Sequence, residues 1–243
     1  MVPVSFAGHE MRALTRGALF WPRRNALLFA DLHFEKASWY ARSGQMLPPY
    51  DSMATLDSVE AVIAETGARE IWCLGDSFHD SDGPARLPAD ARARLSALTQ
   101  ATDWTWVTGN HDHALAHVTN GVGQADVRPD AMALGGRIVE EALIDGIMLR
   151  HEAMAQDSQP EISGHFHPKL RLSLRGRHVA RPCFVMGATR MILPAFGALT
   201  GGLDAHHPQI RALVGNGAEA MVSTDTRLLR FPLQNFLSRC GTA

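Results

Sequence analysis

Three short apolar runs in the first half of the chain each stop on polar residues. Residues 25–30 stop at Asp31-Leu32-His33, and residues 70–74 stop at Gly75-Asp76-Ser77-Phe78-His79-Asp80. The run Trp104-Thr105-Trp106-Val107 is followed by Gly109-Asn110-His111-Asp112. Unbroken runs of this length predict buried strands. Helical patterns lie between them. Residues 35–42 form one short pattern, closed by Ser43-Gly44. A second runs from Asp51, its expected cap, to about Glu65, with Met53, Leu56, Val59 and Ile63 at helical spacing and Gly67 at its end. A third runs from Pro88 or Ala89 to about Thr99, with Leu95 and Leu98 facing inward. Residues 4–14 and 17–21 add strands at the start. The repeated order of strand, polar stop and helix predicts a βαβαβ unit. That unit gathers the polar stops at the carboxyl ends of parallel strands, where open α/β sheets bind ligands.

The second half is patterned for β structure. Residues 126–132, 136–143 and 147–150 predict strands, the last ending at His151. Residues 161–163 end at Gly164-His165-Phe166-His167. A hairpin is predicted from 170–174 and 178–180 about Arg175-Gly176, then a strand at 183–186. Residues 194–204 are glycine-rich and expected to be ordered by packing, without a helix.

Composition narrows the setting. The 243 residues, 46% hydrophobic and 20% charged, suit a single domain spanning 1–243 with its own core. The net charge of -2 provides no global positive field, so any nucleic-acid contact must come from a local patch. Cys73, Cys183 and Cys240 are isolated, which argues against a disulfide framework or a thiolate zinc site and suits a reducing cytoplasm. The start, Met1-Val2-Pro3-Val4, lacks the pattern of a signal peptide. No apolar run approaches the ~20 residues of a membrane span. A soluble, cytoplasmic protein is expected; the pattern carries no signal for oligomeric state.

The polar stops, taken together, are Asp31, His33, Asp76, Asn110, His111, Asp112, His151, His165 and His167. Singly, each has a plain structural reading as a turn, a cap or a satisfied histidine. As a set, each following a strand-like run, they match what phosphate chemistry needs. Carboxylates, imidazoles and an amide oxygen hold divalent cations, and a histidine steadied by a carboxylate moves a proton.

This set resembles the full signature of the calcineurin-like metallophosphoesterases, in motif order, from about residue 28 to 167. The resemblance implies an α/β fold: a four-layer αββα sandwich of two mixed β-sheets flanked by helices. A finer resemblance is to the bacterial group of ligase-associated DNA-damage-response endonucleases. It rests on Ala30-Asp31-Leu32-His33-Phe34-Glu35-Lys36, Arg42-Ser43-Gly44, Pro48, His79, and the late stretch from Leu193-Pro194-Ala195-Phe196 to Gly201-Gly202.

By resemblance, Asp31, His33, Asp76 and His167 form one metal site. Asp76, Asn110, His151 and His165 form the other, with Asp76 bridging. The donors, oxygen and imidazole without thiolate, favour manganese, with iron or zinc as alternatives. The implied reaction is hydrolysis of a phosphodiester by hydroxide held between two metals, with His111 as proton donor and Asp112 holding its tautomer. The implied substrate is a phosphoester, DNA among the candidates, with a functional link to a DNA ligase or helicase. A small-molecule phosphatase or nucleotide phosphodiesterase, and a non-catalytic metal-binding interaction scaffold, are the alternatives.

Substrate candidates outside the motifs are His79, Arg190 and Arg171. Arg171 belongs to a basic strip with Lys169, Arg175, Arg177, His178 and Arg181, which reads equally as a solvated amphipathic hairpin. His113 and His117 read as outer or surface residues on a helix, and nothing in the pattern fixes a role for His206 or His207.

Overall fold

The computed structural model describes residues 1–112, 134–155, 157–174 and 176–233. The expected strand at 126–132, His113 and His117, Arg175, and Cys240 lie outside the described residues.

The first sheet contains β1 (Val2–Phe6), β2 (His9–Ala13), β3 (Leu19–Trp21), β4 (Ala26–Phe29), β5 (Glu70–Leu74), β6 (Asp103–Val107) and β7 (Arg137–Val139), hydrogen-bonded in that order. β1 to β4 pair antiparallel, while β4 to β7 pair parallel. Parallel neighbours need crossovers. Between β4 and β5 the crossover is α1 (Lys36–Ala41) with α2 (Asp51–Thr66), and between β5 and β6 it is α3 (Gly83–Arg86) with α4 (Ala89–Ala101). The second sheet has the order β16-β15-β13-β14-β10-β9-β8. Its members are β8 (Ala142–Ile144), β9 (Ile147–Leu149), β10 (Glu161–Ser163), β13 (Phe184–Met186), β14 (Arg190–Ile192), β15 (Glu219–Ser223) and β16 (Leu228–Pro232). β11 (Lys169–Leu174) and β12 (Arg177–Pro182) form a separate two-stranded hairpin, and α5 (Pro208–Val214) follows.

Side-chain alternation divides the interior into layers. Leu28, Trp72 and Val107 of the first sheet pack with Leu149, Ile162, Phe184, Met191 and Met221 of the second. Their neighbours Leu27, Phe29, Ile71, Cys73 and Trp106 point the other way, onto Leu56 and Val59 of α2 and Leu95 of α4. On the far side of the second sheet, Val185 and Ile192 pack with Leu170 of the hairpin and Ile210 and Val214 of α5. The order is helix, sheet, sheet, helix, as the αββα reading requires. Both faces of the central strands are covered, which is why their apolar runs are unbroken and not alternating.

Three local expectations change. The strand expected at 136–143 is two strands: β7 closes the first sheet and β8 begins the second, so the chain changes sheets at the exposed Glu140-Glu141. Asp51 does not cap α2, since its Oδ2 accepts the Ala37 N–H at 2.9 Å and ties α2 to α1. The short α3 lies in a stretch that reads as loop, and α5, β15 and β16 lie where the pattern predicted no element.

Candidate metal centre

The polar stops meet at one edge of the sandwich. Asp31 and His33 follow β4, Asp76 follows β5, and Asn110, His111 and Asp112 follow β6. From the second sheet, His151 follows β9, and His165 and His167 follow β10. β9 and β10 run parallel, so both sheets present carboxyl ends here.

The loops are bound to one another before any ligand is considered. The N–H groups of Asp31, His33 and Phe34 donate to the carbonyls of Gly75, Asp76 and Ser77, and Gly197 N–H donates to the Asp31 carbonyl. His165 N–H donates to the Asp31 carboxylate at 3.0 Å, and His111 N–H to Asp76 Oδ1 at 2.9 Å. The chain turns sharply to make these contacts. Asp31, His33, Asp76, His165 and His167 have φ of 53°, 45°, 46°, 70° and 46°. Left-handed backbone costs a non-glycine residue about 1 kcal/mol or more, and five instances in one constellation require surroundings that impose them. Gly109 instead permits a close approach, since a Cβ there would run into the Asp76 amide and carboxylate.

Two donor clusters result. Asp31, His33 and His167 form one; Asp76, His151 and His165 form the other. In each, the ligand atoms lie within 4.8 Å of one another. In the first, His33 Nε2 is 3.2 Å from His167 Nε2, which is 3.3 Å from Asp31 Oδ1. In the second, His151 Nε2 is 3.1 Å from His165 Nδ1 and 3.5 Å from Asp76 Oδ2. His151 Nδ1 lies 3.1 Å from the Leu74 carbonyl, a contact that assigns the proton to Nδ1 and leaves the Nε2 lone pair facing the cluster. Asn110 Nδ2 lies 3.4 Å from His165 Nδ1, so a turn of the amide brings its oxygen to the same place.

Electrostatics point the same way. Asp31 and Asp76 are buried, and among the described residues their ion-pair partners are histidines alone. Two rings of the clusters, His33 and His165, resist protonation. Burial, then the His167 and Lys36 charges, pull His33 down to about 2, and burial and His151 lower His165. Buried carboxylates ringed by imidazoles suit divalent cations, and the donors fit two of them.

His111 stands at the open side. Its side chain is half-exposed, and its Nε2 is 3.9 Å from Asp76 Oδ2. His79 stacks on it at 5.4 Å and 15°, and burial, then Lys36, pull His79 down to about 4. His79 therefore lies beside the clusters and is half-buried.

Two residues are placed away from their expected roles. The hydrogen bonds of Asp112 run to the Ser77, Phe78 and Gly109 N–H groups at 3.1–3.2 Å, not to His111. Asp112 clamps the β5 and β6 loops together, and burial, then Asp76, push its carboxyl up to about 7. Arg190, the phosphate-contact candidate, is buried and committed to Glu161 at 2.9 Å and to the Met154 and Asp157 carbonyls. Arg171 is exposed, 3.4 Å from the Gly202 carbonyl and 4.0 Å from Asp204. The hairpin it belongs to starts two residues after His167. His206 contacts Asp204 at 3.0 Å, and His207 accepts Gln209 N–H at the start of α5.

Two residues near the site went unassigned in the sequence. Glu152 Oε1 is 3.7 Å from His165 Nε2, on the side away from the cluster. Its signal was its place directly after His151. Lys36 is half-buried, and its charge acts on both His33 and His79.

No family model and no curated protein matches the chain. Among solved structures, the chain is similar to a nuclease, MPE, from Pseudomonas putida: 26% identity over 95% of this chain and 99% of that one, with a TM-score of 0.68. A second, more distant similarity is to Yfce, a phosphoesterase from E. coli, at 15% identity and a TM-score of 0.38, covering 81% of this chain and 86% of that one.

Proposed function

The chain has the calcineurin-like metallophosphoesterase fold, and from that premise we propose that it is a dinuclear-metal phosphoesterase that hydrolyses phosphodiester bonds, with nucleic acid as substrate class. The observation that carries this reading is the pair of donor clusters, side by side at the joined carboxyl ends of both sheets. Asp31, His33 and His167 would hold one cation, and Asp76, His151 and His165, with Asn110, the other. Asp76 would extend toward both.

Bound divalent cations supply Lewis-acid stabilisation of phosphate oxygens and a water nucleophile at neutral pH. The chain's own residues do the rest. The interlocked loops fix the donors, which spares reorganisation during the reaction. His111, the exposed member beside Asp76, delivers a proton from its ring to the leaving oxygen. Asp112 contributes by holding the loop that carries His111. The basic hairpin, with Arg177, His178 and Arg181 exposed, offers a local patch for a polyanion that the net charge of -2 does not. Similarity to the Pseudomonas putida nuclease along nearly the whole of both chains supports nucleic acid over a small phosphate ester. Manganese as metal, a cytoplasmic setting, a DNA-damage role and a functional link to a DNA ligase or helicase belong to this reading, on the donor set, the isolated cysteines and the group resemblance.

The test is turnover of plasmid, single-stranded oligonucleotide, bis-p-nitrophenyl phosphate and p-nitrophenyl phosphate by manganese-reconstituted protein, with bound metal counted. Two metals per chain with diester cleavage, including DNA nicking, is expected. Monoester turnover alone would move the assignment to a small-molecule phosphatase. Bound metal with every ester inert would make it a scaffold.

A further inference from the structure

A row of rings leads from the donor clusters to the surface. His33 meets His79 edge-on at 5.5 Å. His79 is near-parallel to His111, at 5.4 Å and 15°, and to Tyr40, at 5.8 Å and 25°. Trp39 completes the row, edge-on to His79 at 4.9 Å and to Tyr40 at 4.9 Å. Trp39 is 39% exposed and belongs to none of the three packed cores. Three of the seven large apolar side chains left exposed among the described residues, Trp39, Met46 and Tyr50, fall between residues 39 and 50. An indole held at the surface beside a polar centre forgoes burial that the core would reward.

The helix that carries these rings is firmly held. Glu35 N–H donates to Ser52 Oγ, Ser52 Oγ donates to Glu35 Oε1, and Ala37 N–H donates to Asp51. Arg86 joins Ser38 Oγ to the Asp80 carboxylate. A ring set on a braced element has a fixed position relative to the metals, which suits recognition better than a mobile loop.

We propose that Trp39, backed by Tyr40, is a stacking subsite for the planar base of the nucleotide at the scissile phosphate. The proposal rests on the phosphodiesterase reading above and adds a specificity-determining residue to it. Geometry supports a base as occupant. Trp39 is two ring contacts from the His33 ligand, a distance suited to a base whose own phosphate sits on the metals. Aromatic faces accept any base, because every base offers a π-face, so the subsite would favour nucleotides without reading sequence.

The experiment compares thymidine 3′- and 5′-(p-nitrophenyl phosphate) with methyl p-nitrophenyl phosphate, in wild type, Trp39→Ala and Trp39→Phe. All three esters release the same leaving group, so their ratio isolates the base. Replacing the stacking partner should lower the thymidine-to-methyl ratio of kcat/KM about tenfold, mostly through KM, with Trp39→Phe recovering most of it. A second readout does not need turnover: the Trp39 indole N–H resonance, assigned by its loss in Trp39→Phe, should shift on titration with thymidine 5′-monophosphate. An unchanged ratio in Trp39→Ala, or an unmoved resonance, overturns the subsite and leaves the phosphodiesterase reading standing. Wild-type protein that cleaves none of the three esters overturns both.

Discussion

Asp31 and Glu161 are both carboxylates with 0% exposure, yet their surroundings are opposite. Glu161, at the start of β10, has the Arg190 guanidinium at 2.9 Å, Arg150 at 3.4 Å and the Met154 N–H at 3.1 Å. Asp31, beyond β4, has the His165 N–H and the rings of His167 and His151 at 3.3 and 3.8 Å. One carboxylate carries its countercharge in the sequence. The other faces imidazole rings, with Asp76 close by and, among the described residues, no arginine or lysine paired to it. A buried charge without a counterion costs several kcal/mol, so a chain that builds such a place needs a cation from outside. Burial is therefore no guide to role here; the kind of partner is. The same contrast explains Arg190, which serves as the counterion of Glu161 and not as a hand for phosphate.

Asp31→Asn should have the largest effect. The amide keeps the shape and still accepts the His165 N–H, but the charge is gone. Turnover should fall by more than about 100-fold, beyond the 10–100-fold typical for losing a group behind the ligands. Melting without metal should move the opposite way, to higher temperature than wild type. The gain that manganese gives wild type, about 2.7 kcal/mol at a hundred times its Kd, should largely vanish. A metal-free Asp31→Asn that melts below wild type would show that the carboxylate is already balanced.

His111→Asn separates holding metal from moving a proton. Metal content should stay at the wild-type level while DNA cleavage falls about 10²–10⁴-fold. Loss on p-nitrophenyl esters should be far smaller, because that leaving group departs without a proton. Equal losses on both would remove His111 from the acid role.

Glu161→Gln tests the balanced region. Removing one partner of a buried ion group leaves Arg190 uncompensated, at a cost of about 3 kcal/mol by urea melts, the low end for such a break. Asp157 and Glu141 remain beside Arg150, at 3.1 and 3.2 Å, and limit the damage. Here manganese should neither rescue nor worsen the loss. A metal-dependent effect would mean that the two regions are one.

Much of this was legible in the chain. The apolar runs before Asp31, Asp76 and Asn110 became parallel strands β4, β5 and β6, because runs buried on both faces leave a plain trace and their polar ends stand out against it. The donor residues after β9 and β10 were visible for the same reason. Other features leave no such trace. Whether Asp112 faces a ring or three backbone N–H groups depends on how two loops approach, and Asp remains Asp in either case. Arg190 reads as a free cation until Glu161, far off in sequence, is known to lie against it. The Trp39 row needs α1 and the β5 loop placed together, a contact between residues about forty apart that no local period records.

The smallest expected effect is the pH dependence of the metal-free protein. His33 is held near 2 by burial, against an ordinary value of 6.5. Between those values the unfolded chain binds a proton that the folded chain refuses. Stability therefore falls as pH drops below about 6.5, by up to about 1.4 kcal/mol per pH unit for this one group. His79 and His165, also lowered, add in the same direction. Asp112 and Glu161, both raised by burial, act oppositely: the folded chain keeps a proton that the unfolded chain has released, so their contribution declines as pH rises. Urea melts in a metal chelator from pH 4.5 to 7 should thus show a shallower acid loss in His33→Asn than in wild type, and a steeper one in Asp112→Asn. The lowered imidazoles, His33, His79 and His165, all lie at the Asp31 end, so the acid loss belongs to that region. A His33→Asn protein with the wild-type slope would return the missing countercharge to the chain itself, as protons on these rings, and end the contrast between Asp31 and Glu161.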